Sequence, residues 1–320
     1  MSKNIFIDTS SKEETRIALT VEGKLDDFEI ESIKKTAVKS DIFLAKISRV
    51  EPSLQAAFVD YGAARHGFLP LTEIHPDYFK IPISDQENLI KLSSDIQKNE
   101  IVEDNEESEA STTDKDSGEN NGDLNKRKES ENKKKYLNFF RKYRIQEVIK
   151  SKQVMLVQIN KEERGLKGAA LTTFLSFAGR YCVLMPNSLN NNGISRKISD
   201  LEERKKIRTI LDSVNLPENM SVIVRTAGIG KSKVEINKDL DFLISQWNKI
   251  REKTLKSSAP SLIYEEGNLI KRTIRDLLSN DVNEVLIEGK EGYEIAKKYS
   301  KKIVPNLAKK IKLFKSNDKN

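Results

Sequence analysis

Apolar and polar residues alternate in short blocks along the first 70 positions, a two-residue period that predicts strands. Residues 4–8 and 15–21 read as two short strands joined by a polar turn, and 25–31 continue the pattern. The β-pattern goes on from 41 to 71. Ile42, Leu44, Ile47 and Val50 give a mostly apolar face, followed by 56–61 and 67–69. Apolar residues then nearly vanish. Between 102 and 135 only Val102, Ala110 and Leu124 are apolar, among eleven acidic and seven basic residues, a net of −4. Acidic residues gather in 103–119 and basic ones in 126–135. Such a stretch buries too little apolar surface to offset chain entropy, so disorder is expected over about 86–138. The β-pattern resumes at 153–160. The polar stretch therefore reads as an insertion within one domain, in a surface loop where added length costs little stability.

The second half mixes periods. A charged turn at 161–168 precedes strands at 169–178 and 181–185, and a turn at 190–193 leads into 194–198. Residues 200–214 predict a helix, with Ser199 as cap and Leu201, Ile207, Ile210 and Leu211 facing inward. A strand at 221–227 precedes a long helix at 238–256. There Leu240, Leu243, Trp247 and Ile250 recur at helical spacing, and Trp247 is expected in the core. Residues 262–265, helix 269–278, strand 284–287, helix 291–298 and a tail at 309–314 complete an α/β pattern.

Composition narrows the class. A chain of 320 residues allows two or three domains. Lys and Arg outnumber Asp and Glu by 56 to 49, a net charge of +7, which favours an anionic partner. One cysteine, Cys182, excludes an intrachain disulfide and any site of several thiolates. No apolar run approaches the roughly 20 residues of a membrane helix. The start lacks the apolar core of a signal peptide, and the expectation is a cytoplasmic protein without a transmembrane segment.

The chemistry concentrates in a few places. Phe58 and Phe68 sit on either side of a Tyr-Gly turn, with Arg65 and His66 between them. Aromatics beside cations suit single-stranded nucleic acid, whose bases stack and whose linkages are anionic. The same phenylalanines would serve as core of a small barrel, and these residues alone leave both readings open. Lys167, between Gly165 and Gly168, is placed to meet a phosphate. Arg196 lies in the loop after Gly193, and Arg225-Thr226 ends a strand just before Ala-Gly. A guanidinium beside a hydroxyl suits a terminal phosphate, although each of these cations by residue type is more often a surface charge. The stretch 228–232 ends like a phosphate-binding loop, but Arg225 stands where its first glycine belongs, so a nucleotide cradle is incomplete. Asp239 and Asp241 flank a leucine and would point to separated sides of a helix. With His66 and His75 the only histidines, and no carboxylate cluster, neither histidine base chemistry nor a metal-assisted hydrolase is visible.

These segments together resemble the amino-terminal half of the ribonuclease E/G family, and ribonuclease E most. The matching motifs are 49–62 (RVEPSLQAAFVDYG), 66–71 (HGFLPL), 161–173 (KEERGLKGAALTT), 183–187 (VLMPN), 193–196 (GISR) and 224–228 (VRTAG). The resemblance implies an α+β multi-subdomain chain. Residues 1–37 and 271–320 would form a split RNase H-like subdomain. Residues 38–173 would be an S1 domain, an OB-type β-barrel carrying the insertion, and 174–270 an α/β 5′-phosphate-sensor subdomain. Phe58, Phe68 and Lys167 would then contact RNA. Arg225 and Thr226 would bind the 5′-phosphate, with Gly179, Val183 and Arg196 in supporting or base-contacting positions.

In the family two aspartates hold catalytic Mg2+ and a Cys-Pro-x-Cys element holds Zn2+ between protomers. Neither motif is in this sequence, so no catalytic or metal residue is assigned, and both ions are expected only in a full-length member. The expected function is the RNA-binding half of a single-strand-specific, 5′-monophosphate-sensing endoribonuclease of rRNA, tRNA and mRNA processing and decay. Alone it is expected to bind RNA without cutting it. Homo-oligomers, degradosome-type partners and association with the inner membrane surface are implied for the full-length protein only. A stand-alone, non-catalytic S1-type module is the rival reading.

Overall fold

The computed structural model describes residues 2–11, 13–32, 39–82, 84–85, 143–188, 192–214, 216–217 and 220–314. The insertion expected at about 86–138 lies outside the described residues. The class is mixed α+β. The chain divides into two compact units, Met1–Val38 with Glu265–Asn320, and Lys39–Tyr264.

In the first unit, β1 (Lys3–Asp8), β2 (Glu14–Val21) and β3 (Lys24–Ser32) form an antiparallel meander. Glu22 and Gly23, with φ of 53° and 77°, make the two-residue turn between β2 and β3. Positive φ at both turn positions matches the twist of the strands it joins. β14 (Val282–Glu288) and β15 (Ile311–Leu313) extend the sheet in parallel, giving the order β15-β14-β1-β2-β3. Helices α4 (Leu269–Asp276) and α5 (Lys290–Ile303) belong to the same core, where Leu269, Ile274 and Ala296 join Ile5, Ile17 and Val285. Elsewhere on the sheet a cavity of about 260 Å3 is lined by Phe6, Phe28, Leu286 and Phe314, with Asp8, Arg16 and Glu288 beside them.

The second unit is built on a barrel. β4 (Ile42–Glu51), β5 (Ala56–Asp60), β6 (Gly67–Pro70), β8 (Ala170–Thr172) and β7 (Val154–Lys161) pair in that order. β7 then pairs with β4 and closes five strands on themselves. A short helix, α1 (Ile145–Val148), precedes β7. β13 (Ser261–Tyr264) adds to the first half of β4. Ala45, Ile47, Ala57, Val59, Leu69, Met155, Val157, Ile159 and Leu171 are buried at alternate positions along their strands.

The single apolar face expected for β4 is corrected. Ile42 and Leu44 belong to a different buried cluster, shared with Leu175 and Phe177. Ala45 is also fully buried, so β4 is covered on both faces over its first half. Val50 is half-buried and pairs with Ala57 beyond a register shift between Ile47 and Arg49.

That second cluster supports a four-stranded sheet of order β11-β12-β10-β9, from β9 (Phe177–Ala178), β10 (Cys182–Met185), β11 (Gly193–Ile194) and β12 (Ser221–Val224). Helices α2 (Leu201–Asp212) and α3 (Lys233–Lys256) pack on it through Ile207, Leu211, Ile236, Leu240 and Leu243. The strand expected over 169–178 is two, β8 and β9. Asn187 holds the break, accepting the Leu175 N–H and donating to the Thr173 carbonyl. The cap of α2 is Asp200, not Ser199, since its carboxylate accepts the Glu202 N–H at 2.9 Å. Leu201 is exposed rather than inward. α3 starts five residues earlier than its apolar spacing suggests, because Ser232 and Glu235 form a reciprocal capping box. Trp247 packs in this core, its ring 5.8 Å from that of Phe177.

Gly168 is fixed by close approach. A Cβ there would collide with the His66 carbonyl oxygen, part of the rigid backbone that brings β6 beside β8. Gly168→Ala should lower stability by about 1–3 kcal/mol. Urea unfolding checks this, and an unchanged midpoint would contradict the packing described.

Candidate nucleic-acid interface

Phe58 and Phe68 lie directly opposite each other on β5 and β6. Their neighbours Ala57, Val59 and Leu69 are fully buried, while the two phenylalanines are half-exposed. Alternation therefore places both rings on the outside of the barrel. The rings meet edge to face, with centroids 6.1 Å apart. The structure resolves the ambiguity of the sequence here: the rings are not barrel core.

A basic turn stands beside them. Arg164 and Lys167 exchange backbone hydrogen bonds of 3.1 and 3.0 Å, and Gly165 takes φ of 58° at the tip. Lys167 is exposed two residues before Ala169, whose carbonyl accepts the Phe68 N–H at 2.7 Å. The turn is braced twice. The Tyr61 hydroxyl donates to Glu163 at 2.8 Å, and Arg65 donates to the Gly165 carbonyl. Burial pushes the Tyr61 phenol well above its ordinary value, so it remains a donor. Exposed His66 completes a rim of Arg65, His66, Arg164 and Lys167.

A second set gathers at one end of the four-stranded sheet. The Ser195 N–H donates to the Val224 carbonyl at 2.9 Å, which brings the Arg196 backbone alongside Arg225. Arg196 is exposed and Arg225 half-exposed. The Arg225 guanidinium donates to the Gly179 carbonyl at 2.6 Å, and its backbone N–H to the Tyr181 carbonyl at 2.7 Å. Thr226 is exposed and opens a single 3-10 turn. Gly228 lets that turn close, since a Cβ would come within 2.6 Å of Val224. Val183 and Ile223 pair across β10 and β12, both half-exposed, beside Gly193 on β11. The Arg180 and Lys231 cations lie 5.4 and 5.5 Å from the Tyr181 ring.

The brace under this set is Asp239. It occupies a core position of α3, in the stripe with Ile236, Leu240 and Leu243. Its carboxylate accepts three backbone N–H groups, from Arg180 (3.0 Å), Tyr181 (2.8 Å) and Cys182 (3.0 Å). Burial pushes the carboxyl above the usual range, while these donors and the nearby Arg225 act in the opposite sense. Gly179 allows the approach, for a Cβ would sit 2.5 Å from Asp239 Oδ2. Burial also raises the Cys182 thiol, leaving it a poor nucleophile. Ser232, the last residue of the incomplete nucleotide loop, is occupied as the α3 cap.

Comparisons with known proteins point to one family. The family model "Ribonuclease E/G family" matches residues 176–320. Ribonuclease E of Haemophilus influenzae is 38% identical over 312 residues, covering 98% of this chain and 28% of that protein. Ribonuclease E of Escherichia coli K12 is 38% identical over 313 residues, covering 98% and 24%. Ribonuclease G of Haemophilus influenzae is 28% identical over 304 residues, covering 95% and 51%. The chain belongs to the ribonuclease E/G family. It spans about a quarter of the length of these two ribonuclease E relatives.

Within this ribonuclease E/G chain, the expected residues fall into two groups: Phe58, Phe68 and Lys167 at the barrel, and Gly179, Val183, Arg196, Arg225 and Thr226 around the second sheet. Among the described residues no group of three or more His, Cys, Asp or Glu side chains is placed to hold a metal ion. Asp239 was visible in the sequence only as half of a discarded carboxylate pair. Its real signal is an acid at a core position of a helix, which requires a buried partner. Asp239→Ala should destabilise the protein by on the order of 3 kcal/mol, since three buried N–H groups lose their acceptor. A loss below about 1 kcal/mol in urea unfolding would contradict that role.

Proposed function

We propose that this chain is the RNA-gripping part of a single-strand-specific endoribonuclease that senses 5′-monophosphates and serves RNA processing and decay. The observation that carries the reading is the outward-facing Phe58–Phe68 pair beside the basic turn at Lys167. We read the barrel as an S1, OB-type domain. Its two rings offer stacking surfaces that any base accepts, and Lys167 with its neighbours neutralises the backbone. We read the first unit as the RNase H-like subdomain, and the region around β9 to β12 as the 5′-end sensor. There the Arg225 guanidinium donates to the Gly179 carbonyl, and the next residue, Thr226, is exposed. That pairing suits the three oxygens of a terminal monophosphate. Val183 offers an apolar surface for the first base, and Arg196 a further charge.

In this reading the chain's own residues bind and orient RNA. Metal-assisted hydrolysis by Mg2+ and Zn2+-linked oligomers are assigned in this reading to a full-length family member. Among the described residues no helix is long and apolar enough to cross a membrane.

Two binding experiments test the reading. Phe58→Ala and Phe68→Ala should each weaken binding of a single-stranded oligonucleotide by about 1–3 kcal/mol while far-UV circular dichroism stays unchanged. Loss of fold together with binding would show instead that the rings are structural. Arg225→Ala should abolish any preference for 5′-monophosphate over 5′-hydroxyl RNA. An unchanged affinity ratio would reject the sensor. Incubation with Mg2+ should leave the RNA intact, and robust cleavage by the purified chain would overturn the non-cleaving assignment.

A further inference from the structure

We propose that Arg49 is a further RNA contact of the barrel, extending the Phe58–Phe68 pair into a three-residue strip. The inference rests on reading the barrel as an RNA grip. It starts from an irregularity in β4. Ile47 pairs with Val59 and Arg49 with Phe58, so two residues of β4, Ser48 and Arg49, face one step of β5. Strict alternation would give Arg49 the same side as Ile47, which is buried inside the barrel. The extra residue reverses the parity, and Ser48 and Arg49 are both exposed. Bulges of this kind re-aim a side chain. This one is held from the neighbouring turn, where the Lys152 N–H donates to the Ile47 carbonyl at 2.8 Å and the Ser151 hydroxyl to the Ser48 carbonyl at 3.3 Å.

The re-aimed side chain reaches the aromatic pair. Arg49 Cζ lies 4.9 Å from the centroid of the Phe58 ring. Arg49, Phe58 and Phe68 are direct cross-strand neighbours on β4, β5 and β6. At about 4.8 Å between strands, they form a row of about 10 Å across the barrel. The Arg49 side chain is 66% exposed, and its nearest carboxylate, Glu51 Oε2, is 4.0 Å away, at the limit of an ion pair. An exposed pair at that distance is weak and easily exchanged for another anion. A guanidinium kept close to a ring can also stack on a base while its N–H groups meet a phosphate.

The test titrates the full chain against a 5′-monophosphorylated single-stranded oligonucleotide at several salt concentrations, read by fluorescence anisotropy. Arg49→Ala should weaken binding about five-fold and reduce the salt slope by about 0.7, one phosphate contact. Arg49→Lys should keep the slope but remain weaker than the unaltered chain, since an ammonium cannot stack flat. If Arg49→Ala binds like the unaltered chain with the same slope while Phe58→Ala binds weakly, this inference falls and the grip reading stands. If the unaltered chain does not bind, both fall. Should Arg49→Ala fail to fold, Arg49→Lys decides, and unaltered affinity in that variant overturns the proposal.

Discussion

Strand β4 is the constraint on which the larger unit depends. It pairs with β7 along one edge, and with β5 and β13 along the other, so none of its backbone is left as an open edge over its first half. Both faces of that half are buried, one within the barrel and one in the core of the second sheet. Closing the barrel removes the edges that would otherwise template aggregation. It also fixes the outward positions of β5 and β6, since parity cannot slip once the inner positions are filled. The aromatic pair is thus a consequence of closure. The departure from regular pairing, between Ile47 and Arg49, lies on the half of β4 that faces solvent.

The second sheet depends on a different device, a buried charge used as a template. Asp239 draws three consecutive backbone N–H groups onto one carboxylate, which curls 180–182 tightly at the start of β10. The same curl presents the Gly179 carbonyl to Arg225 and the Tyr181 carbonyl to the Arg225 backbone. An uncompensated carboxylate at this depth would cost several kcal/mol, so the loop, the glycine and the arginine stand or fall with it. The barrel offers half-exposed rings and exposed cations. This region offers a cation whose direction is set by hydrogen bonds.

Much of this was legible in the chain. The strands of the meander, the barrel and the long helix follow from periodicity, because burial on one face imposes it. Breaks in periodicity were harder to place. Asn187 splits an apolar run through side-chain bonds to residues more than ten positions away, and Ser232 starts α3 before its apolar stripe begins. Both are side-chain decisions that hydrophobic pattern does not encode. The orientation of Phe58 and Phe68 was undecidable locally, since an aromatic strand residue fits either side of a barrel. It became decidable only when Val59 and Leu69 were seen to fill the interior. Arg49 and Asp239 escaped for opposite reasons. One depends on a register shift, the other on a partner loop about sixty residues away in sequence.

The most direct test of the central claim is amide chemical-shift mapping of the labelled chain titrated with single-stranded RNA, once with a 5′-monophosphate and once with a 5′-hydroxyl. The account predicts shifts at Phe58, Phe68 and Lys167 with either oligonucleotide, and at Arg225 and Thr226 only with the monophosphate. Shifts confined to the sheet of β1, β2 and β3, with the barrel exterior unperturbed, would contradict it.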